Sequence, residues 1–306
     1  MTGLSAYPKI WSITAPEVRD NLFNGGVEIT EKIDGSAIGF GLDETGILHI
    51  RSKGSIIYSN NNFIRQPDKL FKAAVEYIIS IKDKLHAETT YYGEVLSSKR
   101  HNNITYGSVP RNNIVLYGIQ TRNVWADDHE ILTKEADALG LDSVPLVYSR
   151  VVCDKKQLFD MLNQISYYGE AKIEGVVIKN FNQVANSPFS TACFGKLVSD
   201  EYKESSKSVK SGKLSTTEEF YKGLTNSNRW DKAIQHLRDD GKLTDSSKDI
   251  GVLIEEIVSD FETEQKETVK EQLYYLNIKN IRRYVVEGFP QYYKEKLNQL
   301  VTINEK

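Results

Sequence analysis

The stretch VEITEKIDGSAIGF, residues 27–40, carries the features on which the prediction of this fold depends. Two β-rich runs, Val27–Lys32 and Ala37–Phe40, flank an Asp-Gly turn, as expected of neighbouring strands. Lys32 stands at the end of the first run, and Asp34 follows it by two residues. A lysine attacks only as the neutral amine, which is rare at a reference pKa of ~10.4 unless burial or nearby charges lower that pKa. On this motif alone, an exposed lysine before a turn is the simpler interpretation.

The first two thirds of the chain contain short runs of Val, Ile, Tyr and Thr bounded by Gly, Asn, Asp and Ser, a pattern typical of strands. The predicted strands are Val27–Lys32, Ala37–Phe40, Ile47–Arg51, Thr89–Leu96, Ile114–Gln120, Val144–Val152, Ile173–Lys179 and Ala192–Val198. Apolar residues at helical spacing predict one helix from Leu70 to Ile81, and a weaker pattern predicts another near Lys156–Ile165. Because strands and helices do not alternate strictly, we predict an α+β domain with antiparallel sheets.

The composition changes after Glu204. Residues 205–215 are mainly Ser, Lys and Gly, which is typical of a mobile basic linker. Beyond them, apolar residues recur at helical spacing within Trp230–Leu237, Ile250–Phe261 and Ile278–Val285. We therefore predict a catalytic domain at 1–204, a linker at 205–215 and a small all-helical domain at 216–306.

Composition limits the classes of protein to which the chain can belong. Its 306 residues suffice for one large domain and a smaller one, and 40% apolar with 26% charged residues is an ordinary globular mixture. The net charge of -3 does not indicate a nucleic-acid-binding protein, so any basic surface must be local. Cys153 and Cys193 lie far apart, which argues against a zinc site or a disulfide framework. No apolar run approaches ~18 residues, and we expect a cytoplasmic monomer that does not bind membranes.

Further motifs follow in a regular order along the chain. They are Arg51-Ser52-Lys53-Gly54, Tyr92-Gly93-Glu94, VLYGI at 115–119, EGVVIK at 174–179 and FGKLV at 194–198. Each alone is explained by an exposed strand end. Together with KIDG they resemble the collinear motifs of the covalent nucleotidyltransferase superfamily, which contains ATP-dependent DNA ligases, RNA ligases and mRNA capping enzymes. The resemblance extends from about Tyr7 to Glu204 and implies a nucleotidyltransferase (ATP-grasp-like ligase) domain.

The resemblance implies catalytic roles for residues around the phosphates of ATP. Lys32 would attack the α-phosphorus and form a lysine–AMP phosphoramidate, while pyrophosphate leaves. Glu174 would bind Mg2+ or Mn2+, since carboxylates are the usual ligands of such ions, and Asp34 would help to hold the metal or orient the site. Lys179 and Lys196 would neutralise phosphate charge in the transition state.

The resemblance also implies how the nucleotide itself is held. Arg51 would contact a phosphate, because its planar fork suits that group. Glu94 would hydrogen-bond the ribose hydroxyls, and Tyr117 would stack on the adenine. Glu31 would help to recognise the adenine.

Two positions depart from the family pattern. The lysine strand usually has two lysines separated by one residue, whereas here Phe194 stands at the first position and Lys196 remains. The stacking aromatic is often followed by Asp, where this chain has Gly118. The first departure leaves open which groups contact the phosphates around Lys196.

A long polar segment, Lys99–Asn113, separates two motif strands and resembles loops in phage-type ligases. Its basic residues Lys99, Arg100 and Arg111 are candidates for contact with a nucleic acid strand. A solvated loop explains them equally well.

The C-terminal segment distinguishes among members of the superfamily. DNA ligases and capping enzymes usually continue with an OB-fold barrel of about five strands, whereas residues 216–306 predict helices. This arrangement is similar to the RNA ligase 2 family, and it implies sealing of 3′-OH and 5′-phosphate ends in nicked duplexes or bridged strands. Basic residues on these helices are candidate phosphate contacts, although a solvated helix face also explains each: Arg229, Lys232, Arg238, Arg282 and Arg283.

Three alternatives stay open at this point. A small ATP-dependent DNA ligase with a helical appendage would carry the same motifs. A capping guanylyltransferase fits less well, because the expected C-terminal barrel is missing. A nucleic-acid end-binding protein with an inactive pocket is disfavoured, since an inactive site has no reason to retain Lys32, Glu94, Glu174 and Lys196 together.

Overall fold

The structure is a computed structural model of the chain. It describes residues 4, 6–8, 10–13, 18, 22–23, 25–100, 102, 104–122, 124–126, 128–151, 155–181, 193–199, 220–221 and 224–295. The predicted linker at 205–215 lies outside the described residues.

The described residues form two sheets. Their strands are β1 Trp11–Ser12, β2 Val27–Lys32, β3 Ser36–Leu42, β4 Leu48–Ser52, β5 Ile56–Ser59, β6 Asn62–Phe63, β7 Thr89–Val95, β8 Ile114–Thr121, β9 Val124–Trp125, β10 Asp142–Ser143, β11 Leu146–Val151, β12 Gly175–Lys179 and β13 Phe194–Val198. The first sheet has the order β1-β13-β12-β2-β11. The second has the order β10-β8-β7-β3-β4-β5-β6, and β9 also pairs with β8. The strand pairs are antiparallel apart from β1 with β13 and β8 with β10, so the predicted α+β class with antiparallel sheets is confirmed.

Five α-helices whose bounds lie within the described residues accompany the sheets. They are α1 Lys72–Ser80, α2 His129–Ala138, α3 Lys155–Met161, α4 Ser227–Asp239 and α5 Ile250–Val285. Residues 289–295 are helical as well. The helices predicted near 70–81 and 156–165 are confirmed by α1 and α3. The stretches 250–261 and 278–285 belong to one helix of 36 residues. The helix α2 is not among the predicted helices, because its weak apolar pattern buries only Leu132 and Ala136. Its first turn is capped by Asp128, which accepts a hydrogen bond from the Glu130 N–H.

Each sheet buries one face. Alternate residues of the second sheet, such as Ile38 and Phe40 of β3, pack with α1 and α2 in the larger core. The first sheet buries Ile29, Val176 and Ile178 in a second core. The opposite faces of the two sheets approach each other around a smaller aromatic cluster. The space between these faces holds most of the predicted site residues, and we refer to it as the cleft.

Contacts within the chain group its residues into two units. One comprises Met1–Glu204 with Ser227–Ile257, and the other comprises Ser205–Asn226 with Val258–Lys306. Residues 227–257 therefore group with the sheets, whereas the predicted all-helical domain began at 216. The predicted boundaries at 204 and 216 stay a prediction, because residues 200–219 lie outside the described part of the chain.

Among the described residues, no helix combines the length and the apolar character needed to cross a membrane. The helix α5 is long enough, but charged residues recur along all of it. The expectation of a cytoplasmic monomer stays a prediction.

Candidate active site

The strands β2 and β12 bring Lys32 and Glu174 together. They are antiparallel neighbours with Lys32 opposite Gly175, so the end of one strand meets the start of the other. Lys32 Nζ lies 2.6 Å from Glu174 Oε2. The Lys32 side chain keeps 20% of its surface exposed, whereas that of Glu174 keeps 4%. The lysine is thus held by a buried carboxylate while its amine stays accessible from the cleft.

The turn after β2 is held in place by its own motif residues. The Asp34 carboxylate accepts hydrogen bonds from Ile104 N–H at 3.1 Å and Asn102 Nδ2 at 3.3 Å, and its backbone N–H donates to Tyr106 Oη at 2.8 Å. At Gly35, a Cβ would lie 2.4 Å from the Val95 carbonyl oxygen, so only glycine allows the turn to pass this close to β7. Asp34 therefore serves to position the turn, and its predicted contact with a metal stays a prediction.

The cleft face of the second sheet carries Glu94 and Arg51. Glu94 lies opposite Ala37, and Arg51 lies opposite Gly39, so small residues leave room above the sheet. Loss of solvation raises the pKa of Glu94 to about 8, and the charges of Glu174 and Asp34 add to this against the opposing effect of Lys32. The Arg51 guanidinium donates to the carbonyl oxygen of Leu4 at 2.7 Å. A phosphate would have to replace that carbonyl.

Aromatic rings fill one end of the cleft. Tyr7 contacts Tyr117 edge-on, with ring centroids 4.8 Å apart, and it also contacts Tyr92 and Trp125 in this way. Phe194 is buried in the same cluster, which explains how the lysine strand accommodates a phenylalanine at that position. We call this set the aromatic end; it comprises Tyr7, Tyr92, Tyr117, Trp125 and Phe194.

Two further lysines point into the cleft from the first sheet. Lys179 is buried, donates a hydrogen bond to the Tyr117 carbonyl oxygen, and lies 5.9 Å from the centre of the Phe194 ring. Burial lowers the pKa of Lys179 to about 8, although the charge of Glu28 opposes this shift. Lys196 lies opposite Val177 on β12, two residues from Lys179, so both lysines share one face of the sheet.

Glu31 does not join these residues. Successive side chains of a strand point to opposite faces, so Glu31 lies on the other face of β2 from Lys32. Its carboxylate accepts a hydrogen bond from the Tyr167 N–H at 3.0 Å. Burial raises the pKa of Glu31, and hydrogen bonds from Ser166 and Tyr167 oppose that shift. The predicted contact of Glu31 with adenine stays a prediction.

The three basic residues of the polar loop differ in their surroundings. Lys99 and Arg100 are exposed. Arg111 forms ion pairs with Asp142 at 2.6 Å and Asp137 at 2.7 Å, which join the loop to α2 and β10. The ion pairs of Arg111 favour a structural role, whereas the exposure of Lys99 and Arg100 is compatible with a contact to nucleic acid.

The helix α4 adds side chains that sequence analysis did not assign to the nucleotide site. Lys232 Nζ lies 3.7 Å from Glu174 Oε1, and Gln235 Nε2 donates to the Gly35 carbonyl oxygen at 2.8 Å. The sequence predicts Lys232 only as a candidate phosphate contact, because no motif or spacing links it to Glu174. We call Lys32, Glu174 and Lys232 the charged end of the cleft.

The carboxylates of the cleft are the groups that would bind a divalent metal ion. Within the described residues, no group of three or more His, Cys, Asp or Glu side chains is placed to hold one. Mg2+ is commonly bound by one or two carboxylates together with substrate phosphates. Glu174 fits such a shared site, whereas the raised pKa of Glu94 disfavours the charged carboxylate that a metal ion binds. A metal ion at Asp34 or Glu174 would displace present partners, because both Asp34 oxygens accept hydrogen bonds and both Glu174 oxygens lie near lysine ammonium groups.

Comparison with known proteins adds a family match. A family model described as RNA ligase matches residues 25–196, which is more than half of the chain. A search of curated proteins finds no match. Solved structures similar to this chain include a mutant of Naegleria gruberi RNA ligase with ATP and Mn, at 15% identity and a TM-score of 0.46. Another is Naegleria gruberi RNA ligase with PPi, at 17% identity and a TM-score of 0.46.

These structural matches are partial. The match to the mutant with ATP and Mn covers 65% of this chain and 57% of the solved chain. The match to the complex with PPi covers 66% of this chain and 59% of the solved chain. This chain thus spans somewhat more than half of the length of either solved protein.

Proposed function

The chain belongs to the RNA ligase family, and we propose from the residues of its cleft that it is an ATP-dependent polynucleotide ligase acting on RNA. Its substrates would be ATP and nucleic acid ends that carry a 3′-OH and a 5′-phosphate, in a nicked duplex or bridged strands. The single observation that supports this most strongly is the pairing of Lys32 with the buried Glu174 at 2.6 Å, facing a cleft whose other end is aromatic.

In the first step, Lys32 attacks the α-phosphorus of ATP. Glu174 holds Lys32 Nζ at the charged end of the cleft, so that the nucleophile is in position before ATP binds. The nitrogen–phosphorus bond forms as the bond from that phosphorus to the bridging oxygen breaks, and pyrophosphate leaves with the electron pair. Lys196 stabilises the phosphate charge from the neighbouring strand, whereas Lys179, whose amine donates to the Tyr117 carbonyl oxygen beside the Phe194 ring, lies with the groups that face the base.

The aromatic end and the second sheet hold the nucleoside. Tyr117 stacks on the adenine once the Tyr7 ring moves from its edge, since aromatic rings bind the faces of bases. Glu94 hydrogen-bonds the ribose. With a pKa of about 8, its carboxyl group is mostly protonated at neutral pH before ligand binds, so it can both donate to and accept from a hydroxyl. Arg51 exchanges the Leu4 carbonyl for a phosphate.

Two further steps complete the reaction. The AMP passes from Lys32 to the 5′-phosphate of the break, and the 3′-OH then attacks that phosphate as AMP leaves. Glu174 would hold Mg2+ together with substrate phosphates, and a bound divalent ion would supply positive charge that offsets the charge of the phosphates. The side chains Lys99 and Arg100 are available to contact the strand, because they are exposed.

The first test is incubation of the full chain with Mg2+ and α-labelled ATP, followed by a denaturing gel. We expect a labelled band at the mass of the chain, 34.8 kDa, which pyrophosphate reverses and Lys32→Ala abolishes. The matched control is Lys248→Ala, which removes an exposed lysine elsewhere. An unlabelled wild-type chain with ATP would refute the proposal, and labelling only with GTP would indicate a capping enzyme.

The second test separates RNA from DNA ligation. Nicked duplexes that differ only in the sugar of the nucleotides at the 3′-OH side would be compared as substrates of the labelled enzyme. We expect faster sealing with terminal ribonucleotides. Equal or faster sealing of an all-DNA nick would favour a DNA ligase with the same adenylylation chemistry.

A further inference from the structure

The charged end of the cleft contains a second cation beside the nucleophile. Lys32 Nζ lies 2.6 Å from one oxygen of Glu174, and Lys232 Nζ lies 3.7 Å from the other. The side chains of Lys32 and Lys232 are 20% and 22% exposed, whereas that of Glu174 is 4% exposed. A ligand that enters the cleft can therefore reach both ammonium groups while the carboxylate beneath them stays buried.

Lys232 is held in this position by the helix that carries it. Gln235, three residues later on the same face of α4, donates to the Gly35 carbonyl oxygen at 2.8 Å and to Ser36 Oγ at 3.0 Å. These acceptors belong to the turn that follows Lys32. One face of α4 thus contacts both Glu174, which pairs with Lys32, and the turn that follows Lys32.

The end of α4 is held by a second motif, RSKG at 51–54. Ser52 Oγ donates to Asp240 Oδ1 at 3.1 Å, and Lys53 Nζ lies 3.0 Å from His236 Nε2. A Cβ at Gly54 would lie 2.1 Å from Asp240 Oδ2, so the absence of a side chain allows this close approach. Because α4 contacts both the KIDG turn and the RSKG motif, the helix holds Lys232 beside Glu174.

The charge at this end changes when AMP is attached. Before the reaction, two ammonium groups share one carboxylate. Lys32 loses one proton to solvent to become the attacking amine and a second as the nitrogen–phosphorus bond forms, while pyrophosphate leaves. The product carries an uncharged nitrogen and an anionic AMP phosphate next to Glu174, and Lys232 is the cation that stays at this carboxylate.

We propose that Lys232 is a catalytic residue whose ammonium group pairs with the AMP phosphate while it is on Lys32 and as it passes to the RNA 5′ end. This proposal rests on the proposed ligase function. A charged donor aimed at a phosphate in a partly buried cleft lowers the barrier of each transfer, because the charge is already in place when the transition state forms.

The test compares Lys232→Gln, Lys232→Arg and the matched control Lys248→Gln, with the full chain in each case. The rate of adduct formation is measured with α-labelled ATP, and the isolated adduct is then mixed with 5′-phosphorylated RNA to measure AMP transfer. We expect Lys232→Gln to lower both rates by about ten- to a hundredfold, with a smaller change in the affinity for ATP. Lys232→Arg should recover most of the rate, and Lys248→Gln should match the wild type.

A purely structural role for Lys232 predicts different results. In that case Lys232→Gln lowers the midpoint of thermal unfolding, and the isolated adduct, once formed, transfers AMP at the wild-type rate. That outcome would overturn the proposal. An equal loss of rate in Lys232→Arg and Lys232→Gln would also overturn it, as would wild-type rates in Lys232→Gln. Failure of the wild type to form any adduct would instead refute the ligase function on which the proposal rests, and the two failures are thereby distinguished.

Discussion

The charged end and the aromatic end of the cleft are built by different physical means. The charged end places two lysines on one carboxylate that is 4% exposed, and its geometry depends on ionised groups that come from three separate parts of the chain. The aromatic end consists of rings in mutual contact, such as Tyr7 and Tyr117, whose centroids are 4.8 Å apart. The difference matches the two halves of a nucleotide: charged groups suit a phosphate, and rings suit a base.

The comparison predicts the largest effect at the charged end. Glu174→Gln removes the counter-ion shared by Lys32 and Lys232 and leaves both ammonium groups without it. We expect the rate of adduct formation to fall about a hundredfold or more, because the nucleophile is no longer positioned. The rate is measured with α-labelled ATP, and Glu44→Gln, at an exposed turn, is the control. An unchanged rate would remove Glu174 from the site.

At the aromatic end we expect a loss of binding rather than of chemistry. Tyr117→Ala should weaken ATP binding by about 1–3 kcal/mol, because a stacked ring is lost. Tyr117→Phe keeps the ring and should bind almost as well as the wild type. Titration calorimetry with ATP measures both. If Tyr117→Ala binds ATP normally, the base lies elsewhere and the proposed division of the cleft is wrong.

The pH dependence of stability shows whether the Glu94 carboxyl group, between the two ends of the cleft, is neutral in the folded chain. Its pKa is about 8 in the folded chain, against an ordinary value of 4.5, so the folded state holds a proton that the unfolded state has already released. Its contribution to stability is therefore present at low pH and is lost as the pH rises from about 4.5 through 8.

The measurement is the free energy of unfolding of the wild type and of Glu94→Gln at pH 5 and pH 8.5. Relative to the wild type, the variant should gain on the order of 2 kcal/mol between these values, after allowance for solvent screening. Parallel pH profiles of the two proteins would mean that the Glu94 carboxylate is charged in the cleft at neutral pH.

The smallest effect is expected outside the cleft. Arg111 pairs with Asp137 and Asp142 on a half-exposed surface, so Arg111→Ala should lower the stability by less than about 1 kcal/mol. Arg111→Ala should not change the binding of RNA, whereas the double variant Lys99→Ala, Arg100→Ala should weaken that binding. Salt-dependent binding to labelled RNA measures both. Weaker binding by Arg111→Ala at normal stability would place Arg111 at the nucleic acid interface after all.

Much of the sheet framework could be predicted from the sequence, because strand composition and alternation are local properties. All eight predicted strands are present. Motif order predicted the superfamily, and the helical C-terminal segment predicted an RNA ligase, in agreement with the family match over residues 25–196. The short strands β1, β5, β6, β9 and β10 and the helix α2 were missed, since their patterns are too short or too weak. Alternation along β2 could have placed Glu31 on the face opposite Lys32, although the resemblance assigned both residues to one nucleotide.

The sequence by itself determined which residues are candidates for the chemistry: Lys32 before its turn, Glu174 at the start of an apolar strand and Tyr117 within another. The tertiary structure alone decided what each of them contacts. Lys232 lies 58 residues from Glu174 in the chain, and no periodicity relates a helix lysine to a carboxylate that far away in the sequence. Asp34 is engaged by Asn102 and Ile104 for the same reason. Such contacts arise only when packing brings remote segments together, so local patterns carry no record of them.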